Sequence, residues 1–315
     1  VFKFNEYANE YRLNKEWEKI REQAFTNHDE ELAIRFYARN AIGKLARREF
    51  YKNPIREEDK IIEMLGLDRS KRIIVLLTNL TWDTSSLGRD IAFDGMLDWI
   101  RTTIEYLGGD ERVQVIVRAH PAEGRCPKEM ESTETVTGRL REQVDELKSN
   151  IILIDGFSEI NSHILCKISD LISVYSTTVG LEMAMRGYPV VVCGECHYSR
   201  RGFTIDIENK PDYFKILDEF KSGEELVAPQ RSKQLSYQYA AFFIKMVPAY
   251  MKEFNFPNRH IFEIENVKDF LPGESQRWDS LCDHFLNDGD MLGMSPHNHS
   301  LPPLDDNLMK LWELR

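Results

Sequence analysis

The chain has 315 residues, 42% of them hydrophobic and 30% charged, enough apolar material to fill one large domain or two medium ones. Its net charge of -11 argues against a general nucleic-acid binder, because phosphate backbones are held by clustered Lys and Arg that release counterions. No apolar run approaches the roughly 20 residues that span a bilayer, nothing at the start resembles a signal peptide, and the odd set Cys126, Cys166, Cys193, Cys196 and Cys282 is poor material for a disulfide framework, so a cytoplasmic protein with reduced thiols is expected.

The first 70 residues carry helical spacing and no strand pattern. Tyr7, Tyr11, Trp17, Ile20 and Phe25, then Leu32, Ile34, Phe36, Ile42 and Leu45, then Ile61, Ile62 and Leu65 predict three helices. The chain opens on Val1 directly into this charged helical pattern, from which a missing upstream segment is expected. Gly66 and the polar run from Asp68 to Arg72 mark a boundary.

Short β-branched runs then alternate with helical stretches. The runs are Arg72 to Leu77, Val113 to Arg118, Ile151 to Ile154, Leu171 to Val174 and Pro189 to Cys193; helices are predicted at 91–107, 137–149, 159–167 and 178–187. Continuous apolar strands joined by helices predict an α/β fold, a Rossmann-like parallel sheet flanked by helices on both faces. After residue 210 the pattern is helical again, from Phe214 to Phe220 and from Ser232 to Met251. The second of these is expected to be a packed domain-closing helix rather than a membrane-surface one. Ser295 to Pro303 reads as a loop. The expected division is a helical segment at 1–70, a nucleotide-binding domain at 71–230 and a helical region at 231–315.

Ligands of open parallel sheets bind beyond the carboxyl ends of the strands, where strand order reverses. The polar loops of this chain follow its strands: Thr78 to Ser86, Arg118-Ala119-His120-Pro121, Asp155 to Ser158, and Tyr175 to Glu182. Ser176, Thr177 and Thr178 stand between a strand and a helix start, where hydroxyls and unsatisfied N–H groups favour an anion; simple capping of that helix is the competing role. His120 ends its strand before a proline that is expected to keep it extended, and an imidazole there donates to a phosphate oxygen or protonates a leaving phosphate. Arg118 adds charge on the same face if the strand is regular. Glu182, four residues past Thr178, accepts from ribose hydroxyls or serves as a charge near the helix start. Asn79, Trp82 and Asp83 are expected to shape the cleft.

Cys193-Gly194-Glu195-Cys196-His197 matches the pattern of covalent haem attachment and contains a C-x-x-C pair. Haem attachment needs an exported chain and zinc needs a second ligand pair, so an ordinary turn after a strand is expected. Neither a G-x-G-x-x-G fingerprint nor a Walker loop occurs, which argues against a dehydrogenase or an ATPase. No cofactor and no metal site is expected.

The stretch from Val174 to Val192, with His197-Tyr198 and Arg201-Gly202-Phe203-Thr204, resembles the bacterial capsule polysaccharide biosynthesis family. That family is similar to the capsule β-Kdo transferases and, more distantly, to bacterial sialyltransferases. The resemblance covers about residues 70 to 215. It implies the donor-binding, C-terminal half of a metal-independent GT-B glycosyltransferase, in which a His-Pro motif and a Ser-Thr motif contact the nucleotide phosphate; these map onto His120-Pro121 and Ser176-Thr177. The implied partners are a nucleotide-sugar donor, with a CMP-linked acid as one candidate, and a polysaccharide or lipid-linked acceptor at the inner face of the membrane. His120 is the candidate catalytic residue; Arg118, His120, Ser176, Thr177, Thr178, Glu182, Asn79, Trp82 and Asp83 are the candidate donor-binding residues. The related transferases hold an acidic catalytic residue in a first domain, and residues 1 to 70 offer no sheet to carry one. Polyol-phosphate transfer from a CDP-linked donor and a non-catalytic nucleotide- or glycan-binding subunit are the alternatives.

Overall fold

The computed structural model describes residues 14–41, 44–45, 48–49, 51–81, 88–124, 134–144 and 146–246, and, beyond these, residues 268, 271–274, 279, 282–283, 286–287, 309 and 312. In chain order the elements are α1 (Asn14–Ile20), α2 (Asn27–Ala41), β1 (Lys44–Leu45), β2 (Arg48–Glu49), α3 (Glu58–Leu65), β3 (Arg72–Leu77), α4 (Met96–Leu107), β4 (Val113–Arg118), a single 3-10 turn (Pro121–Gly124), α5 (Val136–Gln143), β5 (Ile151–Ile154), α6 (Ser162–Lys167), β6 (Leu171–Val174), α7 (Val179–Met185), β7 (Val190–Val192), β8 (Ile205–Asp206), α8 (Lys210–Ser222) and α9 (Ser232–Met246).

These elements form two compact units, Val1–Phe36 with Tyr237–Leu304, and Tyr37–Ser236 with Asp305–Arg315, so that the boundaries fall inside α2 and α9. The first unit is built on aromatic packing. Trp17 is fully buried and meets Tyr239 edge-on at 5.1 Å between ring centroids, with Phe242 at 5.9 Å. The last carbonyls of a helix have no partner within it. Gln238 supplies one here, its Nε2 donating to Ile20 O at 2.7 Å and Gln23 O at 3.0 Å at the end of α1.

The second unit is a six-stranded sheet in the order β5-β4-β3-β6-β7-β8, every neighbouring pair parallel. Parallel neighbours need crossover connections, and α4, α5, α6 and α7 supply them between β3 and β7. The order makes this a Rossmann-like α/β fold. The strands lack polar alternation because helices cover the sheet. Trp99, Ile100, Ile104 and Leu107 of α4 pack with Ile74, Leu76, Val115 and Val117 of the sheet and with Tyr213, Leu217 and Phe220 of α8 in one buried cluster. Tyr213 meets the polar needs of that cluster, its hydroxyl accepting from Trp99 Nε1 at 3.2 Å and lying 2.8 Å from Thr103 Oγ1.

Strands β3 to β6 have the limits that the apolar runs predict, and β7 is trimmed to three residues. Several features differ from expectation: α5 ends at Gln143 rather than at residue 149, because Val144 is extended, and α8 begins at Lys210, ahead of the expected Phe214, because Asn209 caps it there. Leu45, placed by its spacing in the second helix, lies in the short hairpin of β1 and β2, and the strand β8 was not signalled by its two residues. Helix α4 begins at Met96 rather than at residue 91, because Gly95 sits at φ 100, outside helical space, and Asp90 is bridged to Gly194. Helix α6 begins only after Asn161, since Ile160 is paired in parallel with Ile55. The expected continuation of α9 to Met251 and the loop Ser295 to Pro303 lie outside the described residues.

Candidate functional site

The chain leaves β3 toward β4 on one side and returns to β6 on the other, so the order reverses between β3 and β6. At that point a crevice opens beyond the carboxyl ends of the strands. Its space, including the part open to solvent at the mouth, is about 620 Å3. Leu77 and Thr78 line it from the end of β3, Arg118 to Pro121 from the end of β4, Ser162 and His163 from the start of α6, and Thr177, Thr178, Val179 and Glu182 from the start of α7. Tyr51 closes the lining from the segment before α3.

The β4 loop is locally determined. His120 N donates to Thr78 Oγ1 at 3.1 Å, which ties the end of β4 to the end of β3. Pro121 starts a 3-10 turn, contrary to the expectation that it would hold off helical structure; proline suits a first helical position because the N–H it lacks would have no partner there. His120 caps that turn: its carbonyl accepts from Glu123 N at 2.9 Å and its Nδ1 accepts from Ala122 N at 3.1 Å. An Nδ1 that accepts carries no proton, so the neutral ring holds its proton on Nε2. Gly156 lets the next loop approach, since a Cβ there would stand 2.8 Å from His120 O.

Arg118 lines the cavity but is 1% exposed, and its guanidinium donates to Asp155 O and, at 3.1 Å, to Ser158 O. It therefore ties the loop after β5 to the end of β4. Asn79 does comparable work on the other side, where its Oδ1 accepts from Ser176 N at 3.1 Å. Both Asn79 and Ser176 are buried. The structure thus brings Arg118, His120, Thr177, Thr178 and Glu182 to one cavity, while Asn79 and Ser176, joined to each other, are not among its lining residues. Trp82 and Asp83 lie outside the described residues.

At the start of α7, Thr178 is the residue before the helix and makes no side-chain cap hydrogen bond, so the capping role weighed against anion binding is not the one it performs. Thr177 is fixed through its carbonyl, which accepts from Tyr198 Oη at 2.5 Å. The same tyrosine lies so close to Gly180 that a Cβ there would meet its ring carbon Cζ at 3.1 Å. Glu182 is fully buried and pairs with His163, Nε2 to Oε2 at 2.5 Å. A carboxylate removed from water needs such a partner.

Sequence reasoning missed Tyr51, Thr78, Ser162 and His163 as lining residues. The loop signal after β5 was read only to Ser158, four residues short of the helix start where Asn161 Oδ1 accepts from His163 N at 2.9 Å and from Ile164 N. Tyr51 gives no local signal. Its hydroxyl reaches Ser162 Oγ at 3.1 Å across 111 residues of chain, next to the bond from Ile55 N to Glu159 O at 2.8 Å.

The cysteine motif behaves as packing. Burial pushes the Cys193 thiol up and the Cys196 thiol up to about 12, while burial and the charge of Arg201 push His197 down to about 3. Among the described residues no group of three or more His, Cys, Asp or Glu is arranged to hold a metal ion, and no helix is long and apolar enough to cross a membrane.

The sequence pattern named for capsule polysaccharide biosynthesis proteins matches residues 2–216. The chain belongs to the capsule polysaccharide biosynthesis family. No curated protein matches this family member. Among solved structures it is similar to a β-Kdo 2,4 transferase, KpsC of Thermosulfurimonas dismutans, at 17% identity over 68% of this chain and 56% of that one, with a TM-score of 0.42. It is similar to a proposed UDP-N-acetylglucosamine 2-epimerase of Listeria monocytogenes at 17% identity over 62% and 48%, TM-score 0.38. Likeness to the wall teichoic acid polymerase TagF is 13% over 67% and 46%, TM-score 0.36. The chain therefore spans about half the length of the solved proteins it matches.

Proposed function

We propose that this chain is the donor-binding part of a glycosyltransferase of GT-B type, taking a sugar from a nucleotide-sugar, with a CMP-linked acid as the first candidate, for surface polysaccharide synthesis. The observation that carries the reading is the cavity at the reversal of strand order, which His120, Thr177 and Thr178 line together in a member of a capsule polysaccharide family. In this reading Thr177, Thr178 and His120 bind donor phosphate, the histidine through Nε2, and Glu182 receives the ribose.

The tautomer bears on the role of His120. A neutral ring that gives up its Nε2 proton leaves an imidazolate, so His120 stabilises the departing phosphate as a hydrogen-bond donor rather than as a full acid. Fixed donors of this kind take the neutralising work that a metal does elsewhere, and the reading expects turnover to survive chelation. The acceptor is a polysaccharide or a lipid-linked glycan, met at the inner face of the membrane.

One observation favours a second reading, a nucleotide-binding subunit without transfer activity. Among the described residues that line the cavity, Glu182 is the single carboxylate, and His163 already holds it. Transfer needs a base for the acceptor hydroxyl. The deciding experiment supplies CMP- and UDP-linked sugars with capsule oligosaccharide and follows nucleotide release with and without EDTA. Acceptor-dependent release that persists in EDTA supports the transferase; tight nucleotide binding with no release supports the subunit.

A further inference from the structure

Three residues beyond His120 stands a buried carboxyl that the reading above leaves without a role. Glu123 is 4% exposed and closes the turn that His120 caps, its N donating to His120 O at 2.9 Å. Across 13 residues of chain its Oε1 accepts from Val136 N at 3.0 Å, at the first residue of α5. The first N–H groups of a helix have no partner within it, so this bond satisfies one of them. The second oxygen, Oε2, is buried and meets no hydrogen-bond partner among the described residues. Burial pushes the carboxyl up from its ordinary range; the bond from Val136 N opposes that push, Asp155 adds to it and Arg118 reduces it.

A carboxyl buried with one oxygen unsatisfied costs stability, and its surroundings show what it maintains. The start of α5 and the loop after β5 are bound to each other, Thr137 Oγ1 donating to Asp155 Oδ1 and Arg141 pairing with the same carboxylate at 3.5 Å. That loop presses on the turn, for a Cβ on Gly156 would stand 2.9 Å from Glu123 Cβ and 3.0 Å from Gly124 N. Glu123 thus ties the turn to α5 through its carboxyl while its stem packs against the loop after β5. Ala122 lies in the same turn, and its N holds the His120 ring through Nδ1 at 3.1 Å. A turn that shifts takes that donor with it, so the aim of the ring and the proton kept on Nε2 depend on where the turn is anchored.

We infer that Glu123 is a positioning residue that anchors the His120 turn to the start of α5 and so aims the His120 imidazole at the donor phosphate. The inference rests on the reading in which His120 binds that phosphate. The anchor requires an acceptor oxygen rather than a charge. Glu123→Gln keeps an oxygen for Val136 N, and Glu123→Ala removes it.

The test is calorimetric titration of the 315-residue chain with whichever of CMP, CDP or UDP binds best, arranged as a double-mutant cycle with His120→Ala. Glu123→Ala is expected to bind about tenfold more weakly, the size of a hydrogen bond to a charged group, and Glu123→Gln to stay within about threefold of wild type. Adding Glu123→Ala to His120→Ala is expected to weaken binding no further, since the ring through which it acts is already gone. General damage to the pocket would instead make the two losses multiply. Losses that multiply overturn the inference, and so does wild-type affinity in Glu123→Ala or a Glu123→Gln variant as weak as Glu123→Ala. If Glu123→Ala does not fold, Val136→Pro decides, because it deletes the N–H donor at a first helical position, where proline fits. A loss in that variant that disappears in the His120→Ala background supports the inference, and any other result overturns it. Wild-type affinity in His120→Ala removes the reading beneath the inference, and the nitrogen-15 shifts of the ring then report on the anchor alone: a mixture of tautomers in Glu123→Ala supports the anchor, and a ring still protonated on Nε2 overturns it.

Discussion

His120 illustrates how one residue acquires a role from its backbone. The ring is oriented by the turn it caps, with Nδ1 bonded to Ala122 N, while its own N–H is tied to Thr78. Loss of the ring removes the cap and the candidate phosphate donor together. For His120→Ala the account expects nucleotide affinity to fall about tenfold or more, with a thermal midpoint only a few degrees lower, because one part-buried cap contributes about 1 kcal/mol. Titration and melting on the same sample check both parts, and unchanged affinity would remove His120 from the site. That position was legible in the sequence, since a histidine after a β-branched run and before a proline declares a strand end. The cap on Ala122 was not, because a side-chain nitrogen reaching back to a backbone N–H leaves no pattern in residue order. The long-range neighbours were equally silent: Tyr51 meets Ser162 beside a bridge between Ile55 and Ile160, both far apart in sequence.

Among the elements, α7 depends on a residue with no side chain. Gly180 is where the helix start and the Tyr198 ring meet, and Tyr198 in turn holds Thr177. Gly180→Ala is expected to destabilise the fold by about 1–3 kcal/mol, the usual cost of overpacking, and to weaken nucleotide binding by displacing the Thr177 to Thr178 turn. Adding Tyr198→Phe relieves the contact with the hydroxyl, so the double variant should melt above Gly180→Ala alone; a lower midpoint would show that the crowding lies elsewhere. Helix α4 is tied to α8 by charge. Burial opposes ionisation of Asp98, yet Lys210 at 2.9 Å, Asp94 N and Arg101 outweigh it and hold the carboxyl down to about 2, below its ordinary 3.8. A depressed carboxyl gives stability that is complete above the unfolded value and is lost as pH falls toward 2. The melting midpoint of Asp98→Asn should therefore lie below wild type at neutral pH and converge with it in acid. A constant gap across that range would show that Asp98 acts through packing instead. The limits of β3 to β6 were readable to the residue because helices cover both faces of the sheet and apolar residues run almost unbroken through these strands. The hairpin of β1 and β2 and the strand β8 were not, each being two residues long and defined by its partner rather than by its own composition.

At the scale of the molecule, strand order matters most. A chain that winds β3, β4, β5 one way and β6, β7, β8 the other gathers loops distant in sequence around one crevice lined by His120, Thr177 and Thr178. The apolar periods implied a parallel sheet, and the polar loops at strand ends pointed to its carboxyl edge. What they could not express was which side chains line the crevice: Asn79 and Ser176 read like ligand residues and bond to each other outside its lining, while His163 read as part of a helix and lines it. The most direct measurement is a crystal structure of the chain with the tightest-binding of CMP, CDP and UDP. The account predicts phosphate density between the His120 ring and the Thr177 to Thr178 turn; phosphate bound elsewhere on the molecule, with that crevice holding only water, would contradict it.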